Sequence, residues 1–157
     1  MSNYIELPLS GLEEPLSEME QTVQDMAHRF AADVLRPAGT QMDAMSAEDS
    51  LGPESPLWNA LEQGAGLGLS IKALMELEPL ERTRIMLIAA EELSWGDAGL
   101  GGMVLVSQFP GLYAALAGNT VMIDYCDGKL GCWGITEPDH GSDSLDPGGD
   151  IEGVAVM

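Results

Sequence analysis

Trp133-Gly134-Ile135-Thr136-Glu137-Pro138-Asp139-His140-Gly141-Ser142-Asp143 is the stretch on which the reading of this chain turns. It closes a run from Lys129 to Thr136 whose bulky apolar members, Leu130, Trp133 and Ile135, predict a strand. The run stops at Thr-Glu-Pro. A polar turn follows and ends in Gly-Ser-Asp. Backbone amides and hydroxyls gathered at a strand end suit a phosphate or a planar ring. A glycine lets backbone come close, and amides with hydroxyls hold phosphate without a lysine.

Upstream of this stretch the periodicity is helical. Ser17 and Glu20 have capping-box spacing, and Met19, Val23, Met26, Phe30 and Val34 then recur on one helical face. Asp25, Arg29 and Asp33 fall opposite. Pro37 is expected to stop or kink this helix, with a short helix over 38–45 and an acidic loop over 46–54. Ser55-Pro56 restarts a helix with a cap and a first-turn proline, and gives it Leu57, Trp58 and Leu61 as an apolar face. Gly64, Gly66 and Gly68 read as a helix end and a connection. No strand precedes them, so they are not a dinucleotide loop. Glu78-Pro79 opens a helix running to about Trp95. Its centre from Ile85 to Ala90 is apolar all round, which predicts burial on several sides. Gly96 ends it, and Asp97 caps a glycine-rich apolar helix interrupted at Pro110. Thr120 to Tyr125 adds a helical turn. A turn at Asp127-Gly128 leads into the strand, and 151–157 is a second short strand.

Composition narrows the function classes. The chain of 157 residues carries 26 acidic side chains against 6 Lys and Arg, a net charge of -20. It lacks the basic footprint that nucleic acid or an anionic membrane surface requires. No basic segment followed by an apolar run opens the chain, so no signal peptide is expected. Cys126 and Cys132 read as reduced thiols of a cytoplasmic protein. No charged side chain occurs from Ala98 to Ile123, long enough to span a bilayer. Its glycines, Pro110 and its Asp97 and Asp124 flanks favour buried core helices over a membrane span.

These motifs, in this order, resemble one family. Thr136-Glu137-Pro138 followed by Gly141-Ser142-Asp143 resembles the flavin-binding signature of the acyl-CoA dehydrogenases. Glu91-Glu92-Leu93-Ser94-Trp95-Gly96-Asp97-Ala98 resembles the family segment that precedes a glycine-rich buried helix. Phe30-Ala31-Ala32 through Pro37 resembles its first helix, and Gly66-Leu67-Gly68 the turn after its next one. Asp139-His140 departs from the small residues usual there.

The resemblance implies a mainly α fold. It expects an N-terminal helical domain over 1–125 and the beginning of a central β domain over 126–157, incomplete at residue 157. It implies FAD as cofactor and an acyl-CoA as substrate. A late glutamate takes the α-proton, and the β-hydrogen leaves as hydride to the flavin. Trp133, Ile135 and Thr136 would lie along the flavin ring. Gly141 and Ser142 would meet the pyrophosphate, and Ser142 would also touch the acyl-CoA. The general-base glutamate is expected beyond residue 157, so this chain alone is not expected to dehydrogenate. An electron-transfer flavoprotein or similar acceptor and a homo-oligomeric full-length enzyme are implied.

Other chemistries fit the residues less well. His140 with Asp139, Asp143, Asp146 and Asp150 lacks EF-hand spacing, and a turn rich in Asp and Gly accounts for it. Ser142 lacks the second glycine of a nucleophile elbow. His28, beside Arg29 in mid-helix, reads as a partly exposed structural residue, and the ten methionines as core fillers. The alternative to the enzyme is an acidic helical module that pairs with another chain, since a strand starting at Lys129 needs a neighbour.

Overall fold

The computed structural model describes residues 15–127 and 129–131. Among them the chain is mainly helical: α1 (Glu18–Phe30), α2 (Arg36–Met42), α3 (Pro56–Ala65), α4 (Ile71–Met75), α5 (Pro79–Gly96), α6 (Ala98–Val106), α7 (Phe109–Leu116) and α8 (Thr120–Cys126).

The caps read from sequence form. The Ser17 amide donates to Glu20 Oε2 at 2.7 Å, and the Glu20 amide donates to Ser17 Oγ at 3.2 Å. Glu18 and Glu20 in the first turn, with His28 and Arg29 in the last, oppose the helix dipole. Ser55 accepts from the Leu57 amide at the head of α3, and Asp97 from the Leu100 amide at the head of α6. Pro56 and Pro79 each lie at the start of a helix. There a missing N–H leaves no bond unmade.

Pro37 does not stop the first helix. A π turn, Ala31–Leu35, joins α1 to α2, and the Arg36 amide donates to the Ala31 carbonyl five residues back. The wider turn relieves the clash a proline ring has with the carbonyl four residues earlier. The short helix expected over 38–45 is the end of this longer one and closes at Met42. The 46–54 loop contains one 3-10 turn, Asp49–Leu51. α4 had no counterpart in the sequence reading. Its signal is Ser70, whose hydroxyl accepts from the Ala73 amide. Gly68, at φ +72°, makes the connection before it, in the left-handed region where a side chain is strained.

Two cores lie along α5, which is 18 residues and about 27 Å long. Its C-terminal half enters the first core through Leu93, with Phe30, Ala31, Leu35, Leu57, Leu61 and Leu100. Its N-terminal half enters the second through Ile85, with Ile71 and Leu74. α5 is not buried all round. Ile85, Ile88 and Ala89 are inside, but Leu87 is 51% exposed. Two further expectations shift by a fraction of a turn. Met19 is exposed while Glu20 is buried. Trp58 lies outside, donating its indole N–H to the Gly52 carbonyl at 2.8 Å, while Leu57, Ala60 and Leu61 face in.

The apolar segment Ala98–Leu116 has the length and hydropathy of a membrane-crossing helix. It is broken at Ser107 and Gln108 into α6 and α7, about 13 and 12 Å long. Each is well short of a hydrocarbon core of about 30 Å. Both helices bury one face only. Leu100, Val104 and Ala114 are inside, whereas Met103, Tyr113 and Leu116 are exposed. After α8 the chain is irregular from Lys129 to Gly131, with the Gly131 amide donating to the Ser107 carbonyl. The expected strand therefore does not begin at Lys129. Residues 132–136 and the second strand at 151–157 lie outside the described residues.

A buried ion pair locks α1 to α5. Arg84 Nε donates to Glu20 Oε1, and Arg84 Nη2 reaches Glu20 Oε2 at 3.2 Å. The hydrogen bond from Arg84, helped by the Ser17 amide, holds the Glu20 carboxyl at about 2, below its ordinary 4.5. A lowered folded-state pKa contributes stability that is complete above pH about 4.5 and is lost as pH falls toward 2. Acid unfolding followed by circular dichroism is expected to show this loss. Arg84→Met is expected to destabilise the protein by about 3 kcal/mol at neutral pH and to flatten the acid limb.

Candidate functional site

Residues 91–98 run from the last turns of α5 into the first turn of α6. Each side chain of the Glu-Glu-Leu-Ser-Trp-Gly-Asp segment that turns inward meets α1 or α2. Glu92 is 10% exposed at its side chain, and its Oε2 lies 2.8 Å from His28 Nδ1. The His28 ring stacks on Trp95, with centroids 4.3 Å apart. On the same indole, the Arg36 guanidinium sits 4.1 Å from the ring centroid, and its Nη2 donates to the Trp95 carbonyl at 2.8 Å. The result is a cluster of His28, Trp95, Arg36 and Glu92. A cation over an indole is attracted by the negative ring face. A buried carboxylate needs the donor it has here.

Glycines make this approach possible. An added Cβ at Gly96 would come within 2.7–2.8 Å of Ala31 Cβ, Cα and O. At Gly101 it would meet the Leu93 backbone at 2.8 Å, and at Gly39 it would collide with Asp97 Oδ2. Asp97 thus serves two contacts. One oxygen caps α6, and the other lies against the α2 backbone at Gly39.

Of the residues singled out from sequence, Phe30 lies in the first core, and Pro37 lies within α2. Gly66 and Gly68 form the connection after α3, and Leu67 packs against the first core. His28, expected as a partly exposed structural residue, is 20% exposed at its side chain and bridges two helices. Cys126 is a free thiol, half-buried at the end of α8. The expected flavin contacts Trp133, Ile135, Thr136, Gly141 and Ser142 lie outside the described residues, as do Cys132 and the Asp139-His140 pair. The sequence reading did not foresee the His28–Glu92–Trp95–Arg36 cluster. Its partners are 59 or more residues apart, and no local spacing announces them.

No family model, curated protein or solved structure matches the chain.

The glycine contacts predict opposite outcomes within one short region. Gly96→Ala is expected to destabilise the protein by about 1–3 kcal/mol, because backbone must move. Gly102→Ala, where nothing lies within 4 Å, is expected to stabilise it by about 1 kcal/mol. Thermal unfolding of the two variants checks the contrast. In the cluster, His28→Ala is expected to cost about 1–3 kcal/mol by removing the Nδ1 partner from a buried carboxylate. In a double-mutant cycle with Glu92→Gln, the combined loss should be smaller than the sum of the two single losses.

Proposed function

We propose that this chain supplies the N-terminal helical domain and the flavin-contacting turn of an acyl-CoA dehydrogenase. The observation that carries the reading is the order of four segments. They are Phe30 through Pro37, Gly66 to Gly68, Glu91 to Ala98, and Thr136-Glu137-Pro138 with Gly141-Ser142-Asp143. The mainly helical fold is compatible with it. So is the use of residues 91–98 as a tight helix–helix junction, where Gly96 and Gly101 permit backbone contact.

The donor set at 133–143 suits FAD by its chemistry. An indole and an isoleucine offer apolar surface to a ring, the Thr136 hydroxyl offers a hydrogen bond to its polar edge, and Gly141 and Ser142 offer an amide and a hydroxyl to phosphate. When bound, FAD supplies the acceptor for a hydride from an acyl-CoA thioester. Ser142 also touches the substrate in this reading. An electron-transfer flavoprotein or similar acceptor would reoxidise the enzyme, a homo-oligomer of the cytoplasm.

A second reading, an acidic helical assembly module, draws on the exposed apolar side chains Leu80, Leu116 and Val121, at 73%, 71% and 76% exposure. Isolated exposed apolar residues are ordinary, but large ones on three helices favour a covering partner.

One preparation separates the two. The protein produced from its own gene is expected to bind FAD, released on denaturation, and the flavin is expected to be bleached by an acyl-CoA only where a segment carrying the general-base glutamate is present. Thr136→Ala and Ser142→Ala are expected to lower its flavin occupancy. A folded protein that takes up no FAD from solution would overturn the first reading. If it also elutes as an assembly on gel filtration, the second is favoured.

A further inference from the structure

α4, the N-terminal half of α5, and α7 leave an open groove of about 230 Å³ between them. Its apolar walls include Ile71 and Met75 of α4, Met86 and Leu87 of α5, and Leu112 of α7. Its polar members are Arg82 and Thr83. The Thr83 hydroxyl is taken up by the Pro79 carbonyl at 2.9 Å, so Arg82 is the group left to meet a ligand.

Cations are scarce in this chain. Acidic residues outnumber Lys and Arg by 26 to 6. Arg84 is paired with Glu20 and Lys72 with Asp124, while Arg36 and Lys129 each rest on a ring and a carbonyl. The Arg82 guanidinium instead meets Met75 Sδ at 3.1 Å, with no carboxylate within 4.0 Å among the described residues. Glu78, one helical turn earlier, does not reach it. A thioether is a weak acceptor, so most of the five donors of the fork remain to be used. This cation stands at an apolar groove whose walls include Met75 and Leu87, 41% and 51% exposed.

We propose that the groove binds a linear carboxylate amphiphile, with its alkyl tail along Met75, Met86, Leu87 and Leu112 and its head on Arg82. A planar guanidinium matches a carboxylate with two parallel hydrogen bonds. Methionine side chains adapt to a tail of variable shape. The volume lies below the roughly 300–1,000 Å³ of pockets for drug-sized ligands, which selects a medium-length chain over a polycyclic ligand. The net charge of -20 repels anions at long range, which selects a singly charged head over a phosphate. The proposal does not rest on the flavin reading.

Titration calorimetry on the whole protein with hexanoate, octanoate, decanoate and decanol, each below its micelle concentration, tests the proposal. Affinity is expected to rise about fourfold per methylene until the groove is filled. Arg82→Gln is expected to weaken decanoate about tenfold or more and leave decanol within about twofold. Leu87→Glu is expected to abolish both, and Arg29→Gln, remote from the groove, to change neither. Circular dichroism verifies that each variant folds. The proposal is overturned if decanoate fails to bind the unaltered protein. Equal weakening of decanoate and decanol by Arg82→Gln, or equal loss in Arg29→Gln, also overturns it. Flavin content, read on the same sample by its colour, reports separately on the turn at 133–143.

Discussion

The contact between Gly96 and the backbone of Ala31 is the constraint on which the arrangement depends. It brings the end of α5 against the π turn of the first helix at a distance that no side chain at 96 allows. Once those backbones touch, the neighbouring residues have little choice of partner. Trp95 meets both His28 and Arg36, Glu92 meets His28, and Asp97 lands on Gly39 while capping α6. The same approach seats Leu93 among Phe30, Ala31 and Leu35 in the first core. The π turn belongs to this geometry. It is where the long helix yields to Pro37 and also where it presents Ala31 to Gly96.

Charge is distributed with the same economy. Few cations are available, and three of them join distant elements. Arg84 ties α5 to α1 through Glu20, Lys72 ties α4 to α8 through Asp124, and Arg36 ties α2 to the end of α5. The Glu20 pair is the most deeply buried of these. It is supported by a capping box that holds its carboxylate in place, so the desolvation of two charges is offset by several hydrogen bonds at once. The exposed Lys72 pair contributes little by comparison.

How far the fold was legible depended on the range of the interaction. Ser17 with Glu20, Ser55 before Pro56, and Asp97 announce helix starts because a cap acts within three residues. Ser70 gives the same signal ahead of α4 but heads a helix of only five residues, too short for a periodic pattern. Pro37 misleads because a proline's local effect was absorbed by a π turn. Periodicity found the helices but placed their faces imperfectly. Met19 and Trp58 look like core residues and lie outside, and Leu87 faces out from an apolar run. The candidate site was legible in a different sense. Its motif at 133–143 is plain in the letters, while the cluster around Trp95 joins residues with no local relation.

The amino-acid sequence by itself determined the helical class, most of the helix starts and the order of segments that resembles a flavoenzyme. Caps, prolines and the 3.6-residue repeat act between near neighbours and can be read along the chain. The tertiary structure alone decided which face of α5 is covered and which carboxylates are buried. It also decided that Arg82 meets a thioether at an apolar groove. Those outcomes rest on partners more than 60 residues apart, or on which neighbouring helix packs where, and that is settled only when the backbones meet.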